Sequence, residues 1–177
     1  MNKHLRPQRG VTLIEAAVAM TIGAIALSTA APGFRGLIER KRLEGVATQL
    51  ATDLQFVRTA AVARNEPLRI SFHAVTGGSC YVIHTGARDQ CSCRGDAPAS
   101  CSGNAAQVKT VWLAAERQIA VQASAASILF DPLHGTTTPT GTARVTAPQG
   151  AIHHVVNLMG RVRTCSPEPV LPGYRAC

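Results

Sequence analysis

Hydrophobic positions divide the chain into stretches with different periods. Residues 11–34 form an apolar run in which Glu15 is the only charged residue. At about 1.5 Å per residue in a helix, this run is long enough to span the roughly 30 Å hydrocarbon core of a bilayer. The basic residues in front of it, Lys3, Arg6 and Arg9, hold their own side in the cytoplasm. The pattern predicts a transmembrane segment over 11–34, single-pass, with the rest of the chain in an exported compartment.

The second stretch predicts that the helix continues outside the membrane. Apolar residues recur at steps of three and four and define one face: Leu43, Val46, Ala47, Leu50, Leu54, Val57 and Ala61. Asn65 followed by Pro67 is a helix stop signal. We therefore expect one helix from about Val11 to about Asn65, of which residues 35–66 form the periplasmic half. The basic residues at 35 and 40–42 either contact anionic headgroups or neighbouring subunits, or form a solvated collar.

Beyond Pro67 the period changes to two, which is typical of strands. Short alternating runs occur over 68–73 and 80–84, and more strand-like runs over 108–113, 118–123, 127–130, 142–146 and 153–158. Between them lies an insertion over 85–107 that is rich in glycine, serine and alanine. Antiparallel strands can bury one face against the apolar face of a helix. The chain is therefore predicted to be α+β, with residues 67–177 forming one globular β domain and Trp112 packing against the helix.

Six cysteines are the next informative feature. In an exported domain they indicate disulfides, because the compartment is oxidising. Six cysteines allow fifteen pairings; we favour Cys165 with Cys177, and pairing among the other four, which are Cys80, Cys91, Cys93 and Cys101. These four and His84 could in principle bind zinc, but their spacing lacks the usual C-x₂-C knuckle. We expect bonded loops, no metal and no cofactor.

Catalytic motifs do not emerge from the sequence. It contains no Gly-x-Ser-x-Gly elbow, phosphate-binding loop or His-Glu-x-x-His pattern. His73, His153 and His154 fall in predicted strands, where alternation places one of the adjacent pair inward and the other outward. We expect that the chain is not an enzyme.

The start of the apolar run carries a family resemblance. Gly10-Val11-Thr12-Leu13-Ile14-Glu15 resembles the class III leader of type IV prepilins and type II secretion pseudopilins, with Val11 in place of the usual Phe. The resemblance implies that residues 1–10 are a leader, that the prepilin peptidase cuts after Gly10, and that the new terminus at Val11 is methylated. It also implies that Glu15 meets the amine of a neighbouring subunit. A simple membrane anchor with an accidental glutamate is the alternative.

Within the pilin superfamily the layout resembles the FimT/GspH family. The residues that carry this resemblance are Leu54-x-x-x-Arg58-x-x-Ala61, the Phe130 to Gly135 loop and Gly160-Arg161-Val162-Arg163. The resemblance implies a pilin-like subunit, held in the bacterial inner membrane, that assembles with other pilin or pseudopilin subunits. It leaves two functions open, a FimT-like minor type IV pilin and a GspH-type minor pseudopilin of a type II secretion system.

The arginine-rich end of the chain favours the first function. Arg161 and Arg163 lie on the same side of the chain if the segment is extended, and the guanidinium group binds phosphate bidentately. In FimT minor pilins of competent bacteria, a Gly-Arg-x-Arg motif is associated with DNA capture, and Arg161 and Arg163 match it. Arg175, in a loop between Cys165 and Cys177, is a third candidate. The predicted ligand is double-stranded DNA without sequence specificity; structural salt bridges or a solubilised sheet edge are the alternative.

Overall fold

A computed structural model describes residues 10–177, with backbone alone at 29–32 and 35. The chain divides into two compact units, Met1–Glu39 and Arg40–Cys177. Helix α1, Leu13–Arg64, starts in the first unit and ends in the second. The predicted basic tail at Lys3, Arg6 and Arg9 lies outside the described residues.

The described residues of the first unit include the N-terminal part of α1. Its large apolar side chains are exposed in the single chain, from Leu13 at 89% to Phe34 at 62%. None of the helices in the described part of the chain combines the length and the apolarity needed to cross a membrane. The transmembrane segment over 11–34 is therefore not confirmed.

In the second unit, α1 presents the predicted apolar face. Its fully buried residues follow the three- and four-residue steps of the sequence: Leu43, Ala47, Leu50, Leu54, Val57 and Ala61. The helix ends at Arg64, where Asn65 adopts a left-handed conformation with φ of 50°. The Glu66 N–H then donates to the Ala61 carbonyl at 3.1 Å, which satisfies one of the last carbonyls of the helix.

Eleven strands follow the helix within residues 10–177. They are β1 Leu68–Val75, β2 Gly78–His84, β3 Cys91–Ser92, β4 Ser100–Cys101, β5 Gln107–Ala114, β6 Ala120–Ala123, β7 Ser127–Phe130, β8 Thr137–Thr138, β9 Gly141–Ala147, β10 Gly150–Val156 and β11 Val162–Cys165. The first sheet has the order β5-β2-β1-β7-β8, the second has the order β11-β10-β9-β6, and β3 and β4 form a small hairpin. Neighbouring strands are antiparallel throughout.

One hydrophobic core joins the helix to both sheets. The first sheet contributes residues such as Ile70, Tyr81 and Phe130, and the second contributes Val145 and Ile152. Alternation along each strand sends every second residue to this core. The prediction of an α+β, pilin-like fold with a helix on antiparallel sheet is confirmed.

A buried carboxylate lies inside this core. Asp53 of α1 is 4% exposed; it accepts a hydrogen bond from the Tyr81 hydroxyl at 2.7 Å and pairs with Lys109 Nζ at 2.7 Å. Burial and then this hydrogen bond raise the pKa of Tyr81. The helix is thus tied to β2 and β5 by polar contacts as well as by packing.

A second apolar cluster covers the opposite face of the first sheet. Cys80 and Val82 of β2 alternate with the core residues Tyr81 and Ile83, so they point away from the helix. The disulfide Cys80–Cys93 ties the insertion after β2 to this strand, and Cys91–Cys101 cross-links the β3–β4 hairpin within the insertion. Trp112 packs in this outer cluster, so the prediction that it contacts the helix is wrong.

Candidate functional site

The turn between β10 and β11 is the first part of the site. The backbone N–H of Asn157 donates to the Arg161 carbonyl at 3.2 Å, and the N–H of Arg161 donates to Asn157 Oδ1 at 2.9 Å. Gly160 has φ of 69°, a conformation that L side chains rarely adopt. This turn ends β10 at Val156, two residues before the end predicted from the sequence, and it leads directly into Arg161.

Gly160 also lies against two distant segments. A Cβ atom at Gly160 would collide with the Gly135 carbonyl oxygen and would lie 3.0 Å from the Arg58 side chain. Arg58 Nε in turn donates to the Gly135 carbonyl at 3.2 Å. Arg58, Gly135 and Gly160 belong to the three segments that carry the resemblance to the FimT/GspH family. These segments are far apart in the sequence but are in contact in the structure, and the contact positions the turn that carries Arg161.

The C-terminal segment is the second part of the site. The disulfide between Cys165 and Cys177 is the pair favoured from the sequence. The Ser166 N–H donates to the Arg175 carbonyl at 2.8 Å, and the Cys177 N–H donates to the Ser166 carbonyl at 3.1 Å. These contacts hold Arg175 next to the end of β11.

Together the turn, β11 and the C-terminal segment form a groove of about 760 Å³. Arg161, Arg163 and Arg175 all line it, as do Val155 and Asn157. All three arginines are exposed, and no ion pair to any of them occurs within the described part of the chain. The structure thus brings the three predicted arginines together around one open groove.

Two histidines on β10 border this region. His154 is 1% exposed and its Nδ1 is 2.9 Å from the Thr164 hydroxyl; burial lowers the pKa of His154 to about 4. Its neighbour His153 is half-buried on the other face, and its pKa is lowered by burial and then by the charge of Arg144. The prediction that one histidine points inward and one outward is confirmed.

The N-terminal candidates lie at the start of α1. The N–H of Glu15 donates to the Thr12 hydroxyl at 3.3 Å, which places Thr12 at the helix N-cap. Glu15 is exposed in the first helical turn, and Gly10 and Val11 precede the helix and are exposed. The roles in leader cleavage, methylation and assembly predicted for Gly10, Val11 and Glu15 require other proteins, so they stay predictions.

The cysteines in the insertion form disulfides. Cys80, Cys91, Cys93 and Cys101 pair as 80–93 and 91–101. All four sulfur atoms considered as zinc ligands are therefore bonded to one another; the 80–93 bond ties the insertion to the first sheet, and the 91–101 bond cross-links the insertion itself.

A long N-terminal helix that packs on antiparallel sheets and starts within a Gly-Val-Thr-Leu-Ile-Glu segment defines a pilin-like filament subunit. The family model for type II transport protein GspH matches residues 46–160, and the prokaryotic N-terminal methylation motif matches residues 5–31. The chain therefore belongs to the GspH family, whose members share the leader and fold of structural filament subunits.

Among solved structures, the chain is similar to the type IV minor pilin FimU of Pseudomonas aeruginosa. The match to one crystal form has a TM-score of 0.51 and 19% identity, and it covers 77% of this chain and 96% of FimU. The match to a second crystal form has a TM-score of 0.48 and 18% identity, covering 74% and 98%. At this identity the similarity supports the fold alone. No match to this chain occurs among curated proteins.

Proposed function

We propose that this chain is a FimT-like minor type IV pilin that binds double-stranded DNA without sequence specificity through Arg161, Arg163 and Arg175. The observation that carries the proposal is the groove in which these three exposed arginines converge without acidic partners among the described residues. Structural salt bridges, the competing interpretation of the same residues, would require such partners.

The chemistry of the groove fits phosphate. A guanidinium group donates two parallel hydrogen bonds to phosphate oxygens and stays charged at every relevant pH. Contacts to phosphate position DNA but do not read its sequence. Each neutralised phosphate contributes a slope of about −0.9 to the dependence of log affinity on log salt, so three contacts predict a slope of about −2.7.

The N-terminal segment would place this groove on a filament. We propose that the prepilin peptidase cleaves after Gly10, that Val11 is then methylated, and that residues 11–34 hold the subunit in the inner membrane with its C-terminal unit in the periplasm. Glu15 would pair with the terminal amine of a neighbouring pilin subunit during assembly. The methylation-motif match over residues 5–31 supports this proposal.

A mobility-shift assay with duplex DNA and the full chain in detergent micelles tests the groove. Arg161→Ala combined with Arg163→Ala should strongly weaken the shift because it removes two of three phosphate contacts. Arg88→Ala combined with Arg94→Ala is the matched control, since it removes the same charge from exposed positions in the insertion. Unchanged binding by the first variant, or equal losses in both, would contradict the proposal.

The second candidate function is a minor pseudopilin of a type II secretion system. The observation in its favour is the family description itself, type II transport protein GspH. Deletion of the gene separates the two functions: loss of DNA uptake or of twitching with normal protein secretion supports the pilus. Loss of secreted proteins with normal uptake supports the pseudopilus instead.

A further inference from the structure

The outward face of the second sheet continues beyond the groove. In the register of this sheet, His153 of β10 lies opposite Cys165 of β11 on one side and Arg144 of β9 on the other. Gln122 of β6 lies opposite Arg144. Residues directly opposite each other share a face of the sheet, so these four form one row across all four strands.

Arg163 belongs to the next row on the same face. It lies opposite Val155, which is two residues from His153 on β10. Residues two apart along a strand point to the same side. Arg144 and Arg163 therefore project from the same face of the sheet.

This face points to solvent at Arg144 and Gln122, whereas at the β11 end Cys165 is 2% exposed and Cys177 Sγ lies 3.7 Å from His153 Nδ1. The residues that alternate with the row are in the core, since Ala143, Val145 and Ile152 are each 0% exposed. Arg144 is exposed, as is Gln122 beside it on the edge strand. Arg144 therefore projects from the outward face of the second sheet and does not contribute to the hydrophobic core.

The charge of Arg144 is uncompensated. No carboxylate in the described part of the chain pairs with it. Its positive charge acts on the neighbouring His153, whose pKa is lowered first by burial and then by Arg144. An exposed guanidinium without a carboxylate partner among the described residues is available to an external anion.

The spacing of the two arginines suits a duplex. With strands about 4.8 Å apart and about 3.4 Å per residue, two strands and two residues of offset separate the Cα atoms of Arg144 and Arg163 by about 12 Å. The major groove of B-DNA is also about 12 Å wide. Phosphates on its two sides are therefore within reach of the two side chains.

We propose that Arg144, with Gln122 and His153 beside it, is a second phosphate-contact site, so that one DNA duplex lies across the second sheet from β11 to β9. This inference rests on the proposed function of the groove. It extends the proposed DNA-binding surface to β9, a strand in which the sequence shows no binding motif. Four contacts then predict a salt slope of about −3.6 in place of about −2.7.

The test compares single substitutions at Arg144 in the full chain, with duplex DNA binding measured by fluorescence anisotropy over a range of salt concentrations. Arg144→Ala should weaken binding several-fold and make the slope shallower by about 0.9, while Arg144→Lys, which keeps the charge, should retain the slope. Arg94→Ala, a loss of one exposed charge on the insertion, should leave the slope unchanged. Melting temperatures of all variants should match that of the unsubstituted chain, because none of these side chains is in the core.

The outcomes separate this inference from the proposed function. If Arg144→Ala binds like the unsubstituted chain while the Arg161 and Arg163 double variant loses binding, the footprint ends at the groove and the inference is wrong. If neither variant changes binding, the groove itself is not a DNA site. If Arg94→Ala shifts the slope as much as Arg144→Ala, the effect reflects net charge and the inference is again wrong.

Discussion

The two sheets of the second unit share one core with the helix, but their outward faces differ. On the first sheet, Cys80, Val82 and Trp112 face outward and are covered by an insertion that the Cys80–Cys93 disulfide ties to the sheet and that Cys91–Cys101 cross-links internally. On the second sheet, Arg144 and Arg163 face outward and nothing in the described part of the chain pairs with their charges. The covered face is apolar, and the open face is basic.

This difference indicates where the chain has a free surface for a ligand. Apolar residues on an outward strand face need a cover, since large exposed apolar patches are rare on soluble domains. Exposed arginines need no cover and attract anions. The same antiparallel architecture thus carries a structural face on one sheet and a candidate binding face on the other.

The largest effects that test this comparison are expected from removing one disulfide on each sheet. Cys80–Cys93 and Cys165–Cys177 close loops of nearly equal length, with sequence separations of 13 and 12. Replacing either pair by alanine should therefore reduce the free energy of unfolding by a similar amount, about 3 kcal/mol in the chain-entropy account. DNA affinity should fall only for the second pair, because that disulfide holds Arg175 in the groove.

Urea unfolding and fluorescence anisotropy measure the two effects separately. Affinity should be compared under conditions in which each variant is still folded. An equal loss of affinity in the two variants would mean that the faces do not differ in function.

Gly160 offers a smaller and more local test. Gly160→Ala should destabilise the fold by about 2 kcal/mol through the collision with the Gly135 carbonyl, beyond the cost of the strained backbone, and should also displace the Arg161 turn and weaken DNA binding. Gly95→Ala is the matched control, since Gly95 has a nearly identical φ of 71° but nothing within 4 Å of its Cβ position. Gly95→Ala therefore introduces the same backbone strain as Gly160→Ala but no collision. Gly95 lies in the insertion that covers the first sheet, away from the groove.

Thermal unfolding and DNA binding of both variants check this prediction. If Gly95→Ala costs as much stability as Gly160→Ala and the two bind DNA equally, the contact between Gly160, Gly135 and Arg58 does not position the turn.

The sequence predicts the parts of this molecule that depend on local periodicity. The three- and four-residue steps from Leu43 to Ala61 predicted the buried helix face, and alternation predicted that one of His153 and His154 points inward and the other outward. These patterns are readable because a helix or strand turns its residues at a constant angle, so burial of one face repeats along the chain.

Local periodicity could not predict which residues from distant parts of the sequence lie together in the fold. Trp112 lies in a strand with both faces covered, so alternation alone does not tell which face packs on the helix. Arg144 lies in a strand with no motif, and only its register with β10 brings it to the same face as Arg163. The meeting of Arg58, Gly135 and Gly160 depends on the fold, because these residues are far apart in the sequence.

The salt dependence of DNA affinity tests the central claim most directly, that the open face of the second sheet binds phosphate. The full chain should show a slope of log affinity against log salt of about −3.6, and Arg161→Ala with Arg163→Ala should make it shallower by about 1.8. Arg88→Ala with Arg94→Ala, which removes the same charge from the covered side, should leave the slope unchanged. Equal slopes for the two double variants would contradict the claim.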